Sequence, residues 1–150
     1  GKTVQCDYLE LGDPGLPHAV VLLDGDCAMT QEALRELGRK LRANSAFPKG
    51  ANVNFCRVIG ENEVEELTYE RGVEDFTLAC GTGTGSVVAA LMRRGLVSGE
   101  NTKVHVPGGE LFITLNTDSQ TQEITDIYLT GPTNIVAEGE VCDEELHVLL

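Results

Sequence analysis

Cys80 and the glycine-rich stretch that follows it, Gly81 to Ser86, have the clearest potential for chemistry in this chain. The next residues, Val87 to Met92, are apolar, and Arg93-Arg94-Gly95 is typical of a helix end. The pattern predicts a helix beginning near Thr84 that is apolar on nearly every side and therefore buried all round. A thiol at a helix N-terminus lies beside unpaired N–H groups, which favour its thiolate form and can hold a carboxylate or phosphate.

The residues alone leave three alternatives for this stretch. A phosphate-binding P-loop requires a lysine after its glycines, and none follows Gly85. A dinucleotide fingerprint would use Glu100 at about the right distance, but the glycine spacing differs and Thr77-Leu78-Ala79 is too short for a buried first strand. The third alternative is a structural cysteine buried beside a glycine-rich helix start.

The surrounding elements predict an α+β fold, a curled strand-rich barrel around the central buried helix. A second, amphipathic helix is predicted with Thr30 as its N-cap and with Leu34, Leu37 and Leu41 on one face. The acidic run from Glu61 to Glu66 is interpreted as mainly a solvated loop. Eight strands are predicted: Lys2–Leu11, His18–Leu23, Asn52–Ile59, Glu65–Arg71, Lys103–Val106, Glu110–Asn116, Ile124–Thr130 and Asn134–Glu140.

Composition narrows the class of protein. The 150 residues suit one domain, and the net charge of −13 argues against binding nucleic acid. No apolar run is long enough to cross a membrane, and no signal peptide is seen. Five cysteines without a Cys-x-x-Cys pair favour neither a metal site nor a disulfide framework, so we expect reduced thiols in a cytoplasmic protein. Apart from Cys80, they are interpreted as packing residues: Cys6, Cys27, Cys56 and Cys142.

Two segments, Tyr69-Glu70-Arg71-Gly72-Val73 and Thr77-Leu78-Ala79-Cys80-Gly81-Thr82-Gly83, resemble the second catalytic motif of diaminopimelate epimerases. Further matches occur in family order along nearly the whole chain: Pro17-His18, Phe47-Pro48, Asn52 to Phe55, Val106 to Leu111 and Tyr128 to Pro132.

The resemblance implies one half of a two-domain enzyme that needs neither pyridoxal phosphate nor metal. Such enzymes invert a carbon centre with two cysteines, one from each domain, as in the conversion of LL- to meso-diaminopimelate for lysine and peptidoglycan synthesis. Residues 1–150 would form the second domain, with about the last ten residues belonging to a first domain outside this chain. The implied partners are an amino-acid substrate, that first domain and a second copy in a homodimer. We expect the chain to be inactive alone, because one thiol cannot serve both faces of a carbon.

The resemblance also implies roles for individual residues. The implied catalytic residues are Cys80, His18 and Glu70, with Cys80 as a general acid or base and His18 near the thiols. Gly81 and Thr82 would bind the substrate α-carboxylate. Asn52 would contact the distal end of the substrate, and Glu70 and Arg71 its α-amino side. By residue type alone, His18 suits a satisfied core histidine, Asn52 a turn or strand edge, and Glu70 with Arg71 a surface ion pair.

Two departures from the family pattern bear on the substrate. Leu16 stands where the family has an asparagine that grips the distal end of diaminopimelate, and Glu74-Asp75-Phe76 lengthens the segment before Cys80. The alternatives are therefore a racemase of another amino acid (histidine- or proline-racemase-like), an isomerase on the same fold, or a non-catalytic carboxylate-binding domain.

Overall fold

The computed structural model describes residues 3–140, which form eight strands and two helices. The strands are β1 (Asp7–Leu11), β2 (Leu16–Leu22), β3 (Asn52–Gly60), β4 (Glu63–Glu70), β5 (Asp75–Phe76), β6 (Thr102–Val106), β7 (Gly109–Thr117) and β8 (Ile124–Thr130). The helices are α1 (Gln31–Arg42) and α2 (Gly81–Arg93). No helix within residues 3–140 is long and apolar enough to span a membrane.

All eight strands belong to one mixed sheet that curls around α2. The order is β1-β2-β3-β4-β6-β7-β8, with the short β5 paired to β4. The β2–β3 and β4–β6 pairs are parallel and the other pairs are antiparallel. Both edge strands, β1 and β8, contact α2, so the sheet wraps the helix from two sides. This confirms the predicted α+β fold with a curled sheet around a central helix.

Helix α1 covers the outer face of the sheet. Thr30 caps its N-terminus by accepting a hydrogen bond from Ala33 N at 3.2 Å, as the sequence predicted. Leu34 and Leu41 are buried against an outer cluster of sheet residues. That outer cluster contains Val21, Val53, Phe55, Leu67 and Tyr69.

Helix α2 fills the inner face. Its residues Val87 to Leu91 are at most 4% exposed and pack on an inner apolar cluster. The sheet contributes to that cluster through Val20, Cys56, Val64, Val104, Ile113 and Leu115. The helix begins at Gly81 rather than near Thr84, so the whole glycine-rich stretch belongs to its first turns.

Three predictions about the elements need correction. Glu63 to Glu66 belong to β4, so most of the acidic run is strand and not a solvated loop. Residues 134–140 form no strand in the structure, and the first strand begins at Asp7 instead of Lys2. The remaining strands agree with prediction to within two residues at each end. The proposed attachment of about the last ten residues to another domain falls on residues 141–150, outside the described part.

Gly38 lets α1 approach the sheet closely, and its substitution tests that contact. A Cβ there would lie 3.0 Å from Cβ and Cγ of the buried Tyr69. Alanine improves helix propensity by about 1 kcal/mol, whereas overpacking costs roughly 1–3 kcal/mol. We therefore expect Gly38→Ala to lower the free energy of unfolding in urea by roughly 1 kcal/mol. The matched control is Lys40→Ala, on the exposed side of α1, and a stabilised Gly38→Ala protein would contradict this packing.

Candidate functional site

The inner face of the sheet changes from polar to apolar along α2. Alternate residues of a strand point to the same side, so His18 shares the inner face with Val20, and Asn54 shares it with Cys56. On β4, Glu66 and Thr68 share it with Val64, which lies in the inner apolar cluster. The polar members gather around the first turn of α2, as their hydrogen bonds to each other and to Thr82 show.

Cys80 is the N-cap residue of α2, with an extended backbone (φ −135°, ψ 103°). The first N–H groups of a helix have no intrahelical acceptor, and the first backbone bond here runs from Thr84 N to Cys80 O at 2.8 Å. The N–H groups of Gly81 and Thr82 therefore precede the helical ladder and are suited to hold an anion. Cys80 is partly exposed, so its thiol can be reached from solvent.

A chain of hydrogen bonds runs from the thiol into the core. Cys80 Sγ lies 3.7 Å from Thr82 Oγ1, and Thr82 Oγ1 lies 3.1 Å from His18 Nε2. His18 Nδ1 is 3.0 Å from Asn54 Oδ1. Asn54 Nδ2 donates to Glu66 Oε1 at 2.9 Å and to Thr68 Oγ1 at 2.8 Å. These bonds join four elements, the start of α2 and the strands β2, β3 and β4, over sequence separations of up to 64 positions.

Sequence reasoning placed Cys80, His18 and Thr82 together but missed Glu66, which is 1% exposed. The acidic run around it favoured a solvated loop. The signal that could have identified Glu66 is Asn54. Its neighbours Val53 and Phe55 are apolar and point to the outer face of β3, so the Asn54 side chain must point to the inner face. A buried amide there needs a hydrogen-bond partner.

Burial is the main cause that raises the pKa of the Cys80 thiol, and the carboxylates of Glu70 and Glu66 add to it. The N–H of Gly83, and the Thr82 hydroxyl where it donates to sulfur, lower the pKa. Desolvation thus opposes the stabilisation of the thiolate that the helix start provides. Burial also lowers the pKa of His18, although Asn54 and Glu70 act in the opposite direction, so the neutral imidazole is favoured.

The other predicted site residues meet at one end of the β3–β4 pair, where Asn52 begins β3, Glu70 ends β4 and Arg71 follows it. Asn52, paired with His18 across the β2–β3 register, accepts a hydrogen bond from Arg71 N at 2.8 Å and so fixes the start of the turn after β4. The Arg71 guanidinium donates to Lys49 O at 2.7 Å, and no ion pair joins it to Glu70 within residues 3–140. Glu70 is half-buried and close enough to influence the pKa of both His18 and Cys80.

A cleft of about 840 Å³ opens between the two edge strands and reaches Gly81 and Thr82. Its walls include apolar side chains of β1 and β8, such as Leu11 and Leu129. Within the described part of the chain, no group of three or more His, Cys, Asp or Glu side chains is arranged to hold a metal ion.

Gly83 allows the helix start to touch the amide of Asn54. A Cβ at this position would lie 2.3 Å from Asn54 Nδ2 and 3.2 Å from Cys80 Sγ. We expect Gly83→Ala to lower the free energy of unfolding in urea by about 2 kcal/mol, since overpacking and a strained buried amide outweigh the gain in helix propensity. Gly81→Ala is the matched control, because its Cβ meets only Leu129 Cδ1 at 3.3 Å. Equal effects of the two substitutions would contradict the close contact at Gly83.

The raised pKa of Cys80 predicts a pH profile for alkylation. Because only the thiolate reacts, the rate with iodoacetamide should rise through a midpoint above that of the same cysteine in the urea-unfolded chain. Mass spectrometry of the peptide containing Cys80 separates it from the exposed Cys27. A folded-state midpoint below the unfolded one would show that the helix start, and not burial, controls this thiol.

Comparison with known proteins adds to this geometry. The model of the family described as diaminopimelate epimerase matches residues 12–136. The chain is 38% identical over 135 residues to the diaminopimelate epimerase of Methanothrix thermoacetophila, covering 90% of this chain and 43% of that protein. It is 42% identical over 125 residues to that of Clostridium perfringens, covering 83% and 40%. The chain thus spans about two fifths of the length of these curated relatives.

Solved structures share the fold at low sequence identity. A PhzF-family phenazine biosynthesis protein of Bacillus anthracis matches with a TM-score of 0.59 and 20% identity, covering 83% of this chain and 39% of that one. A probable proline racemase of Agrobacterium radiobacter K84 matches with a TM-score of 0.57 and 15% identity, covering 85% and 41%. With the family model spanning both the Cys80 motif and the strands that surround it, the chain belongs to the diaminopimelate epimerase family.

Proposed function

We propose that this chain is the second half of a cofactor-independent amino-acid epimerase, an isomerase that interconverts LL- and meso-diaminopimelate. The observation that carries the proposal is the position of Cys80: a reachable thiol directly before free N–H groups at the start of a buried helix. Family membership and the names of the relatives support the same reaction class.

Inversion at carbon requires a base on one face and an acid on the other. The raised pKa of Cys80 favours its protonated form, so in one direction Cys80 donates its proton to the carbanion. A thiolate from the other domain removes the α-proton on the opposite face, and becomes a thiol as Cys80 becomes a thiolate. The reverse reaction exchanges the two roles. Gly81 and Thr82 hold the α-carboxylate through their N–H groups, which also stabilise the charge that develops on it.

The remaining residues position these groups. His18 is completely buried and reaches the thiol only through Thr82, so we assign it to positioning rather than to proton transfer with substrate. We assign Glu70, at the end of β4, and Arg71, in the turn after it, to the α-amino side of the substrate. Asn52 fixes that turn by accepting a hydrogen bond from Arg71 N, and we assign its amide nitrogen to the distal end of the substrate.

The exposed apolar side chains near Cys80 support a second domain packing over it. Leu78 is 70% exposed two residues before the thiol, and Val73 and Leu129 are also exposed. Such side chains are typical of a surface that another domain covers. We therefore propose residues 1–150 as the second domain, with the active site in the cleft between the two. A reduced thiol pair further implies a cytoplasmic protein.

Leu16 favours a second candidate, racemisation of an amino acid with a different distal group. It begins β2 two residues before His18 and is 39% exposed. Its side chain cannot donate the hydrogen bonds that the corresponding family asparagine gives to diaminopimelate. The reaction at the α-carbon is the same in both candidates.

The proposal predicts that Cys80 is essential in the complete two-domain protein. In D2O, wild-type protein should exchange the α-proton of LL-diaminopimelate and produce the meso form, while Cys80→Ser should be slower by roughly 10²–10⁴-fold. The exposed Cys27→Ser is the matched control and should retain activity. The 150-residue chain alone should not invert the substrate.

Near-normal turnover by the Cys80→Ser protein, or inversion of the substrate by the isolated 150-residue chain, would refute the two-thiol mechanism. The same assay with histidine and proline separates the two candidates, because exchange of either amino acid without exchange of diaminopimelate would favour the second.

A further inference from the structure

Glu66 is a buried carboxyl group that the proposed reaction does not use. It is 1% exposed, and burial raises its pKa against the effects of Thr84, Asn54 and Thr68. Its Oε1 accepts hydrogen bonds from Asn54 Nδ2 at 2.9 Å and from Thr68 Oγ1 at 3.0 Å. Its Oε2 has no hydrogen-bond partner among residues 3–140, and the hydroxyl of the neighbouring Thr84 donates to Cys80 O at 3.1 Å. A carboxyl kept inside a core at this cost requires an explanation.

The acceptor at Glu66 determines how Asn54 is oriented. Both hydrogens of Asn54 Nδ2 are used, one by Glu66 Oε1 and one by Thr68 Oγ1, whose own proton goes to Glu66. The oxygen of the amide must then face His18, where Oδ1 lies 3.0 Å from Nδ1. Since Asn54 Oδ1 only accepts, His18 Nδ1 must carry a proton.

The orientation continues from His18 to the thiol. A neutral imidazole has one donor and one acceptor nitrogen, so Nε2 accepts and the Thr82 hydroxyl donates to it across 3.1 Å. That hydroxyl has no second proton, so it presents lone pairs to Cys80 Sγ at 3.7 Å and accepts the thiol proton. Each bond in the chain is thus directed by the one before it, starting from Glu66.

We propose that Glu66 is a positioning residue which, through Asn54, fixes the Nδ1–H tautomer of His18 and thereby makes Thr82 an acceptor for the Cys80 thiol. Its consequence for catalysis rests on the function proposed above, because it concerns the proton that Cys80 holds for the substrate. Without an acceptor at position 66, Thr68 can donate to Asn54 Oδ1 and the amide can turn over. Every later bond then reverses, and the Thr82 hydroxyl donates to sulfur.

The groups around Glu66 and His18 limit what else could set the direction of these hydrogen bonds. Cys56 faces Glu66 across the β3–β4 register and donates to Val21 O at 3.7 Å, so it is not a member. The charged groups that act on His18 are Glu70 and Arg71, which influence its charge through space and not its tautomer through a bond. On α2, Gly83 leaves the space that the Asn54 amide occupies.

The tautomer of His18 is directly measurable by NMR in the 150-residue chain with ¹⁵N-labelled histidine. His105→Gln and His147→Gln variants identify the resonances of the other two histidines. At pH 7 we expect the wild-type His18 to show a protonated Nδ1 and a pyridine-like Nε2. An Nε2–H tautomer or an imidazolium in the wild-type chain would overturn the proposal without any variant.

Two substitutions separate the acceptor from the charge of Glu66. Glu66→Gln removes the carboxyl group but keeps an oxygen that can accept from Asn54 and Thr68, so the Nδ1–H tautomer should persist. Glu66→Met keeps the length of the side chain without an acceptor, so protonation should move towards Nε2. The rate of Cys80 alkylation at pH 7 should then rise by about tenfold, the effect of lowering the thiol pKa by one unit. The matched control is Cys56→Ala, equally buried on the neighbouring strand, which should leave the tautomer unchanged.

Each result decides for or against the proposal. A tautomer that is the same in wild-type and folded Glu66→Met protein, or that changes in Glu66→Gln, would overturn it. If Glu66→Met does not fold, the wild-type and Glu66→Gln spectra still test it. These readouts need no substrate, so a complete protein without epimerase activity but with the expected tautomers would refute the proposed function and leave the hydrogen-bond chain intact.

Discussion

The point where α2 leaves the core is the constraint on which the rest of this structure depends. Cys80 and Thr82 are partly exposed and Gly81 is exposed, whereas Gly83 to Leu91 are buried. Polar groups left unpaired on the buried side of this boundary would each cost about 1–3 kcal/mol. The sheet meets this requirement by presenting polar side chains that bond to one another at one end of its inner face and apolar ones at the other. The Cys80 thiol therefore lies at the polar end of the inner face, next to the boundary with its apolar end.

Strand direction explains how three separate segments supply that polar end. The strands β2 and β3 are parallel, so His18 and Asn54 both lie near strand starts, ahead of the apolar Val20 and Cys56. The β4 strand runs the opposite way, and its polar residues accordingly come after Val64 instead of before it. A shift of one residue in any of these pairings would turn the polar set outwards. Register and site chemistry are thus determined together.

Local sequence patterns were enough to predict most of the fold, but they did not predict the polar contacts between residues far apart in the chain. The spacing of Leu34, Leu37 and Leu41 and the apolar run after Gly85 identified both helices, and the Cys80 motif identified the chemical centre. Glu66 was misjudged because its charge resembles that of its acidic neighbours, whereas its burial depends on pairing with Asn54 twelve positions earlier. Residues 134–140 have a strand-like composition but no pairing partner in the structure. Strand propensity depends on the residues of one segment, whereas burial and strand pairing depend on the other strands of the sheet.

The division of the inner face also gives the two ends of α2 different temperature responses. Opening the end formed by Val87 to Leu91 exposes apolar surface and increases the heat capacity, whereas opening the Cys80 end exposes mainly polar groups, which lower it. Apolar stabilisation weakens on cooling, and the hydrogen bonds around His18 do not share that dependence. Cooling therefore weakens the stabilisation of the part of the helix that only packs more than that of the end that carries the thiol.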